Sequence, residues 1–135
     1  MEDFNYWSIL VAGLAAWGLG AIWYSPIGFG KAWQKEAGMS DEDVQGGNMP
    51  LIFGTSFVLM CVMMFGMVPA LLMAHDNISV AHGAFHGALF GAFFAATAIG
   101  INCLYQRKSI KLWLIDGVYQ ILLLAVGGAV LAAMN

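Results

Sequence analysis

The run HGAFHGALFG, residues 82–91, sets His82 and His86 four positions apart in an otherwise apolar stretch. Two imidazoles at that spacing lie on one face of a helix, where they can share a zinc or copper ion. A helix that began earlier would add His75 and Asp76, bringing three imidazoles and a carboxylate to one level. The same histidines can relay protons or simply hydrogen-bond to carbonyls of neighbouring helices. A second soft-ligand pattern, MCVMMFGM, pairs Met60 with Met64 and Met63 with Met67 around Cys61. Thioethers so spaced suit monovalent copper, but methionine also fills gaps between packed helices. Packing is the preferred reading of the methionines, and metal binding by the histidines is the lesser reading of that cluster.

Asp116 is the one carboxylate inside a long apolar run near the carboxyl end. It lies about 7 Å along a helix from Lys111 at 1.5 Å per residue. An ionised aspartate at mid-membrane costs about 2.5–3.5 kcal/mol on insertion scales, less near the edge. It therefore needs a partner or a wet cavity. Asn102 is expected at the same level from the preceding helix, with Arg107 or Lys111 able to reach down. His82 and His86 fall at the opposite end, so the two polar clusters suit either a through-path or two unrelated helix-end contacts.

The elements that position these residues follow from composition. Of 135 residues, 61% are hydrophobic and 10% charged, against about 25% charged in soluble domains. No Asp, Glu, Lys or Arg occurs in residues 4–30, 44–75 or 77–106, and residues 112–135 carry only Asp116. Each run exceeds the ~20 residues that cross a hydrocarbon core as helix. The fold expected is an all-α integral membrane four-helix bundle in a single domain, residues 1–135. Its helices should cover about 6–24, 50–73, 80–104 and 111–134, with a cytoplasmic loop at 25–49. A soluble bundle would need a polar face on each helix, and these runs have none. A cleaved signal is not expected, because MEDFNYW is acidic and the apolar run that follows is too long. Cys61 and Cys103 both fall in spans, where they pack as small apolar groups.

Lys31 and Lys35 lie in the first loop, and Arg107, Lys108 and Lys111 in the third. The positive-inside rule then puts those loops in the cytoplasm and both termini outside. Tyr6 and Trp7 at one end of the first helix, and Trp23 and Tyr24 at the other, form aromatic belts. Pro26 ends or bends that helix, and IGFGKAWQKEAG suits a short interfacial helix stopped by Gly38. SDED at 40–43 fits a helix cap, but an ordinary solvated acidic loop is preferred because Gly46 and Gly47 follow. Pro50 fits a first helical turn, and Pro69 should kink its helix or free a carbonyl. Gly83, Gly87 and Gly91 make a smooth stripe that lets another backbone approach.

The sequence has no phosphate-binding glycine loop, no nucleophile with base and orienter, no CxxC and no haem-attachment motif. Accordingly no enzymatic activity and no cofactor are expected, and the few basic residues do not suit nucleic acid. The run WGLGAIWYSPIGFGKAW, residues 17–33, resembles the signature of a bacterial family of small four-helix membrane proteins named domain of unknown function 1761. WYSP and FGKAW carry that resemblance, supported by QRKSIKLWLIDGVYQ at 106–120. It implies the four-helix architecture and no particular activity. It also draws Trp23, Tyr24, Pro26, Gly30, Lys31, Trp33 and Arg107 together as a cytoplasmic-face motif. That motif is either an anchor and turn or a vestibule for an anion or lipid headgroup.

The first functional expectation is a homo-oligomer of the bacterial inner membrane, by default a dimer, that passes a small solute, proton or ion between protomers. Membrane lipid is its expected surroundings. The alternative is a non-catalytic accessory or scaffold subunit of a larger membrane complex, and a weaker one is a membrane metal-binding protein.

Overall fold

The computed structural model describes residues 3–73 and 78–135. His75 and Asp76, invoked above as a third imidazole and a carboxylate, lie outside the described residues. The described chain is all-helical: α1 (Trp7–Trp23), α2 (Gly30–Ala37), α3 (Asp41–Gln45), α4 (Met49–Leu72), α5 (Val80–Phe90), a π-helical turn (Gly91–Ala95), α6 (Ala96–Tyr105) and α7 (Ile110–Ala133). Three helical stretches are long and apolar enough to cross a membrane: α4, the continuous run from α5 through α6, and α7. α1 is equally apolar but shorter, at 17 residues.

Side-chain caps fix where most helices begin. Asn48, Ser79 and Ser109 each accept a backbone N–H three residues on, from Leu51, His82 and Leu112 at 3.1–3.2 Å. Each satisfies a donor that the first turn leaves orphaned. The segment expected to be a solvated acidic loop instead forms α3. Ser40 Oγ accepts from Asp43 N–H at 3.1 Å, and Asp43 Oδ2 accepts from Ser40 N–H at 2.9 Å. The reciprocal cap outweighs the following glycines, which lie just beyond the helix.

Two helices end in the same left-handed device. Gly38 closes α2 with φ 71°, and Met39 N–H reaches back to the Gln34 carbonyl at 3.0 Å. Arg107 closes α6 with φ 56°, while Lys108 N–H reaches the Cys103 carbonyl at 2.8 Å and Arg107 N–H that of Leu104 at 3.2 Å. Glycine adopts this backbone freely, and arginine adopts it at a cost. Pro69 is accommodated inside α4, which continues to Leu72.

α7 is the hub: it touches α1, α2, α4, α5, α6 and the π turn. Its buried residues include Leu112, Ile115, Tyr119, Leu123, Leu124, Gly127, Gly128 and Leu131. The stripe Gly83, Gly87 and Gly91 lies against it in the same chain. A methyl group at Gly83 would collide with the carbonyl of Gly128, one at Gly87 with that of Leu124, and one at Gly91 would sit 2.5 Å from Ile121 Cα. On another side of α7, fully buried Met64 fills the space a Gly127 side chain would need, and Met67 sits against Gly128. The methionine pairs are thereby divided: Met64 and Met67 are packed into glycine notches, while Met63 lines an open groove with Gly66, Phe90 and Phe94. Cys61 and Cys103 are both free thiols.

Candidate functional site

The end of the bundle where α1 finishes and α7 starts collects most of the residues singled out from sequence. α1 stops at Trp23, and the following turn folds back onto its last carbonyls: Phe29 N–H donates to Trp23 O at 2.7 Å and Gly28 N–H to Ser25 O at 3.0 Å. Side chains at Gly28 or Gly30 would strike those carbonyls; a Cβ on Gly28 would lie 2.5 Å from Trp23 O, and one on Gly30 2.8 Å from Ser25 O. The spacing of YSPIGFGKAW is thus a steric requirement. The turn has glycine at the two positions where a Cβ would strike those carbonyls, and Pro26 and Ile27 are exposed at its tip.

That fold-back returns α2 to the start of α7. Ser109 Oγ, besides capping α7, donates to Glu36 Oε2 at 2.6 Å, and Lys108 Nζ donates to the Ala37 carbonyl at 3.4 Å. With α2 so fastened, Trp33 stands edge-on to Tyr24, ring centres 6.0 Å apart, and its indole lies beside the carboxylate of Asp116.

Asp116 is half-buried on α7, and its Oδ1 accepts from the Tyr24 hydroxyl at 2.6 Å. Around this bond is an aromatic cluster. Tyr119, one turn along α7, meets Tyr24 edge-on at 5.1 Å and stacks with Trp23 at 6.4 Å. Trp23 Nε1 donates to the Ile115 carbonyl at 3.1 Å, and the buried Tyr119 hydroxyl donates to the Ala16 carbonyl at 2.9 Å. Gly20 makes room for Tyr119, whose Cζ would be 3.0 Å from a Cβ there. α1 and the residue that caps its end are therefore joined to α7 by three side-chain hydrogen bonds. Each is enthalpically valuable where water is excluded.

The other polar residues expected near Asp116 are elsewhere. Asn102 is exposed on α6, and Arg107 and Lys111 are exposed at the bundle end. Arg107 serves the α6 terminus through its backbone, and Asp116 takes its hydrogen bond from a hydroxyl. Lys31 is likewise exposed on α2.

His82 and His86 occupy the first two turns of α5, at the opposite end, level with Gly128 and Ala132 of α7. Both are half-buried and their rings touch, centres 4.2 Å apart and tilted by 56°. His86 borders a groove with Leu89, Phe90, Phe93 and Phe94. No set of three or more metal-capable side chains occurs among the described residues. At this same end Asn5 N–H donates to Asn135 Oδ1 at 2.7 Å, and Asn135 Nδ2 donates to the Oγ of fully buried Ser8 at 3.1 Å.

Sequence reasoning put the aromatic motif and Asp116 on one side of the membrane but missed the Tyr24–Asp116 bond, Tyr119, and the Ser109–Glu36 fastening. Tyr119 carried a usable signal, since it lies three residues from Asp116 and so on the same face of α7. The pairing of Tyr24 with Asp116 carried none, because they are 92 residues apart.

The fold and this cluster define an all-α protein with membrane-type helices and a carboxylate held by aromatic side chains at one end of its central helix. The chain belongs to the family described as proteins of unknown function, DUF1761, whose model matches residues 7–132. No curated protein and no solved structure matches it.

Proposed function

We propose that the chain is a four-span protein of the bacterial inner membrane, with α1 as the fourth span, and that it moves a proton or small cation with Asp116 as the binding group. The observation that carries this reading is the hydrogen bond from the Tyr24 hydroxyl to Asp116, a carboxylate in a long apolar helix whose donor is neutral. A structural ion pair would place a lysine or arginine there, because an uncompensated charge in the membrane is costly. A neutral donor instead supports a carboxylate that alternates between bound proton or cation and a brief charged state.

α1 has 17 residues and, at 1.5 Å each, a length of about 25 Å. That is near the ~30 Å hydrocarbon core, with Tyr6, Trp7, Trp23 and Tyr24 at its ends for the headgroup regions. All five Lys and Arg side chains belong to the Asp116 end, in α2, the α6–α7 turn and the first turn of α7, which supports a cytoplasmic placement for that end and an external one for the termini. The glycine stripe is occupied by α7 of the same chain, so the closely packed α5–α7 seam leaves no room for a route. A path then runs on the outer faces of the bundle, between protomers of a homo-oligomer.

Flux into liposomes containing the purified protein tests this. Proton or small-cation flux is expected, reduced at least about tenfold by Asp116→Asn, a loss of 1.4 kcal/mol or more. Flux no greater than in empty liposomes across protons, metal ions and small cations overturns it.

A second reading, an accessory subunit of a larger membrane complex, is favoured by α4. Its outer face, with Leu51, Val58, Val62 and Phe65, is exposed along most of its length. Mild solubilisation followed by size-exclusion chromatography separates the two: a fixed second protein at constant stoichiometry supports the subunit, and a homo-oligomer supports the transporter.

A further inference from the structure

We propose that His82 and His86 form a two-imidazole chelating site for a borderline divalent ion, copper(II) or zinc, at the bundle end opposite the basic residues. Three features of α5 carry this. The first is geometry. The histidines are one turn apart and their ring centres stand 4.2 Å from each other. With nitrogens about 2.0–2.1 Å from an ion, ring centres of two adjacent ligands sit roughly 4.5–5 Å apart, so a small rotation of the side chains opens the pair onto one ion.

The second feature is that, among the described residues, the imidazoles have no competing task. Neither ring takes part in a hydrogen bond with the described residues, although the backbone N–H of His82 is bonded to the Ser79 cap at 3.1 Å. A histidine recruited for structure spends its nitrogens on carbonyls or hydroxyls; these two retain theirs for a ligand. The third is rigidity with access. Gly83 and Gly87, next to each histidine in sequence, are clamped against the α7 backbone, which fixes the helix that carries both rings. The histidines themselves are half-exposed on the first turns, so the remaining coordination positions are open to water.

Imidazole selects copper, zinc and nickel over magnesium and calcium, which prefer oxygen ligands. The thioethers of Met64 and Met67 are buried against glycines of α7 and do not contribute. Two protein ligands leave an open site, unlike the four-ligand closed sites that hold a structural zinc.

Copper(II) alone, titrated into the full chain in mild detergent, is the probe. Electron paramagnetic resonance is expected to show one bound copper per chain with hyperfine coupling to two nitrogens. His82→Ala and His86→Ala should each abolish the two-nitrogen pattern. Losing an outer-shell partner of a metal ligand already costs about 10–100-fold in affinity, so loss of either imidazole should weaken binding at least about tenfold. His75→Ala should leave the pattern unchanged. Helical circular dichroism should also be unaltered in His82→Ala and His86→Ala, since neither ring is hydrogen-bonded to the described residues. Less than one copper per chain, a two-nitrogen pattern that survives either single substitution, or a pattern lost in His75→Ala overturns the assignment. This outcome is independent of flux, so the metal site and the transport reading stand or fall separately.

Discussion

The two ends of α7 are held to their neighbours in opposite ways. At the Asp116 end, helices are joined by side chains with assigned partners: Tyr24 to Asp116, Trp23 to the Ile115 carbonyl, Tyr119 to the Ala16 carbonyl. At the histidine end α5 is joined to α7 by what is missing, with Gly83 and Gly128 placing backbone against backbone, while Asn135 fastens the start of α1 there through Asn5 and Ser8. In a membrane, where apolar side chains gain little by leaving lipid, both strategies supply association. The difference lies in what each leaves over. A glycine seam uses no polar side chains, so the histidines beside it are spare. The aromatic end uses the polar atoms of Trp23, Tyr24 and Tyr119 in its contacts with the neighbouring helix, and its Asp116 has a defined donor.

The sharpest way to break the glycine seam is Gly87→Val. The new side chain would meet the Leu124 carbonyl and Ala125 Cα, both backbone, which cannot swing aside. Overpacking costs about 1–3 kcal/mol, more where backbone must move, so a loss of at least about 3 kcal/mol is expected in a detergent unfolding titration. Gly54→Ala and Gly66→Ala are the controls, because a Cβ at either meets nothing within 4 Å. They should be neutral or stabilising by up to about 1 kcal/mol, the helix preference of alanine over glycine. Equal losses at all three positions would show that the seam is not the cause.

Tyr24→Phe breaks the other end. It keeps the ring packing against Tyr119 and Trp33 and removes only the hydroxyl at 2.6 Å from Asp116. A hydrogen bond contributes about 0.5–1.5 kcal/mol between neutral groups and about 1.5–3 kcal/mol to a charged one, and a loss of about 0.5–3 kcal/mol is expected by thermal unfolding in detergent. In a double-mutant cycle with Asp116→Ala, which removes the acceptor, the two substitutions should be markedly non-additive, since both act on one bond. Additive losses would mean that the two residues do not act on each other.

The contrast also explains what was legible in the sequence. Apolar runs and their punctuation are local, so the long helices and α2 could be read from Gly38, Pro50 and the charge-free stretches. The π turn at Gly91–Ala95 could not, because one extra residue in a turn leaves no mark on hydropathy. α3 is hidden in the sequence because Gly46 and Gly47 suggest a loop, while the Ser40–Asp43 reciprocal cap that holds it is only two residues. The glycine stripe was legible as a seam, but its partner was not: identifying α7 of the same chain requires the register of Gly83 on Gly128. Asp116 stood out as a lone carboxylate, yet Asn102 and Arg107 were the wrong neighbours. Helix depth predicts level along the bundle and says nothing about which way a side chain turns, and Asn102 is turned outward.

If the histidines are spare, removing them should hardly affect the fold. His82→Ala and His86→Ala are expected to shift stability by no more than about 0.5 kcal/mol, as surface substitutions do. A loss beyond about 1 kcal/mol from either, in metal-free detergent, would mean that the ring contact at 4.2 Å supports the helix end.

The smallest expected effect lies outside the helical core, in α3, where a carboxylate with a defined donor is fully solvated. The Ser40 backbone N–H, with its hydroxyl, holds the Asp43 carboxylate below the ordinary aspartate range. A group with a depressed folded-state pKa contributes stability above its unfolded value, and that contribution is lost as pH falls through the folded value. α3 should therefore keep its cap unchanged at neutral pH and down to about 4, the ordinary aspartate value, and fray only below it. Amide exchange at Ser40, followed by nuclear magnetic resonance with each rate corrected for the intrinsic pH dependence, reads this directly. Protection should fall on acidification in the wild-type chain and should already be low and pH-independent in Asp43→Asn. Protection that is unchanged by the substitution would show that the helix is held by its contacts rather than by its cap. The Asp116 end would then be alone in depending on a carboxylate.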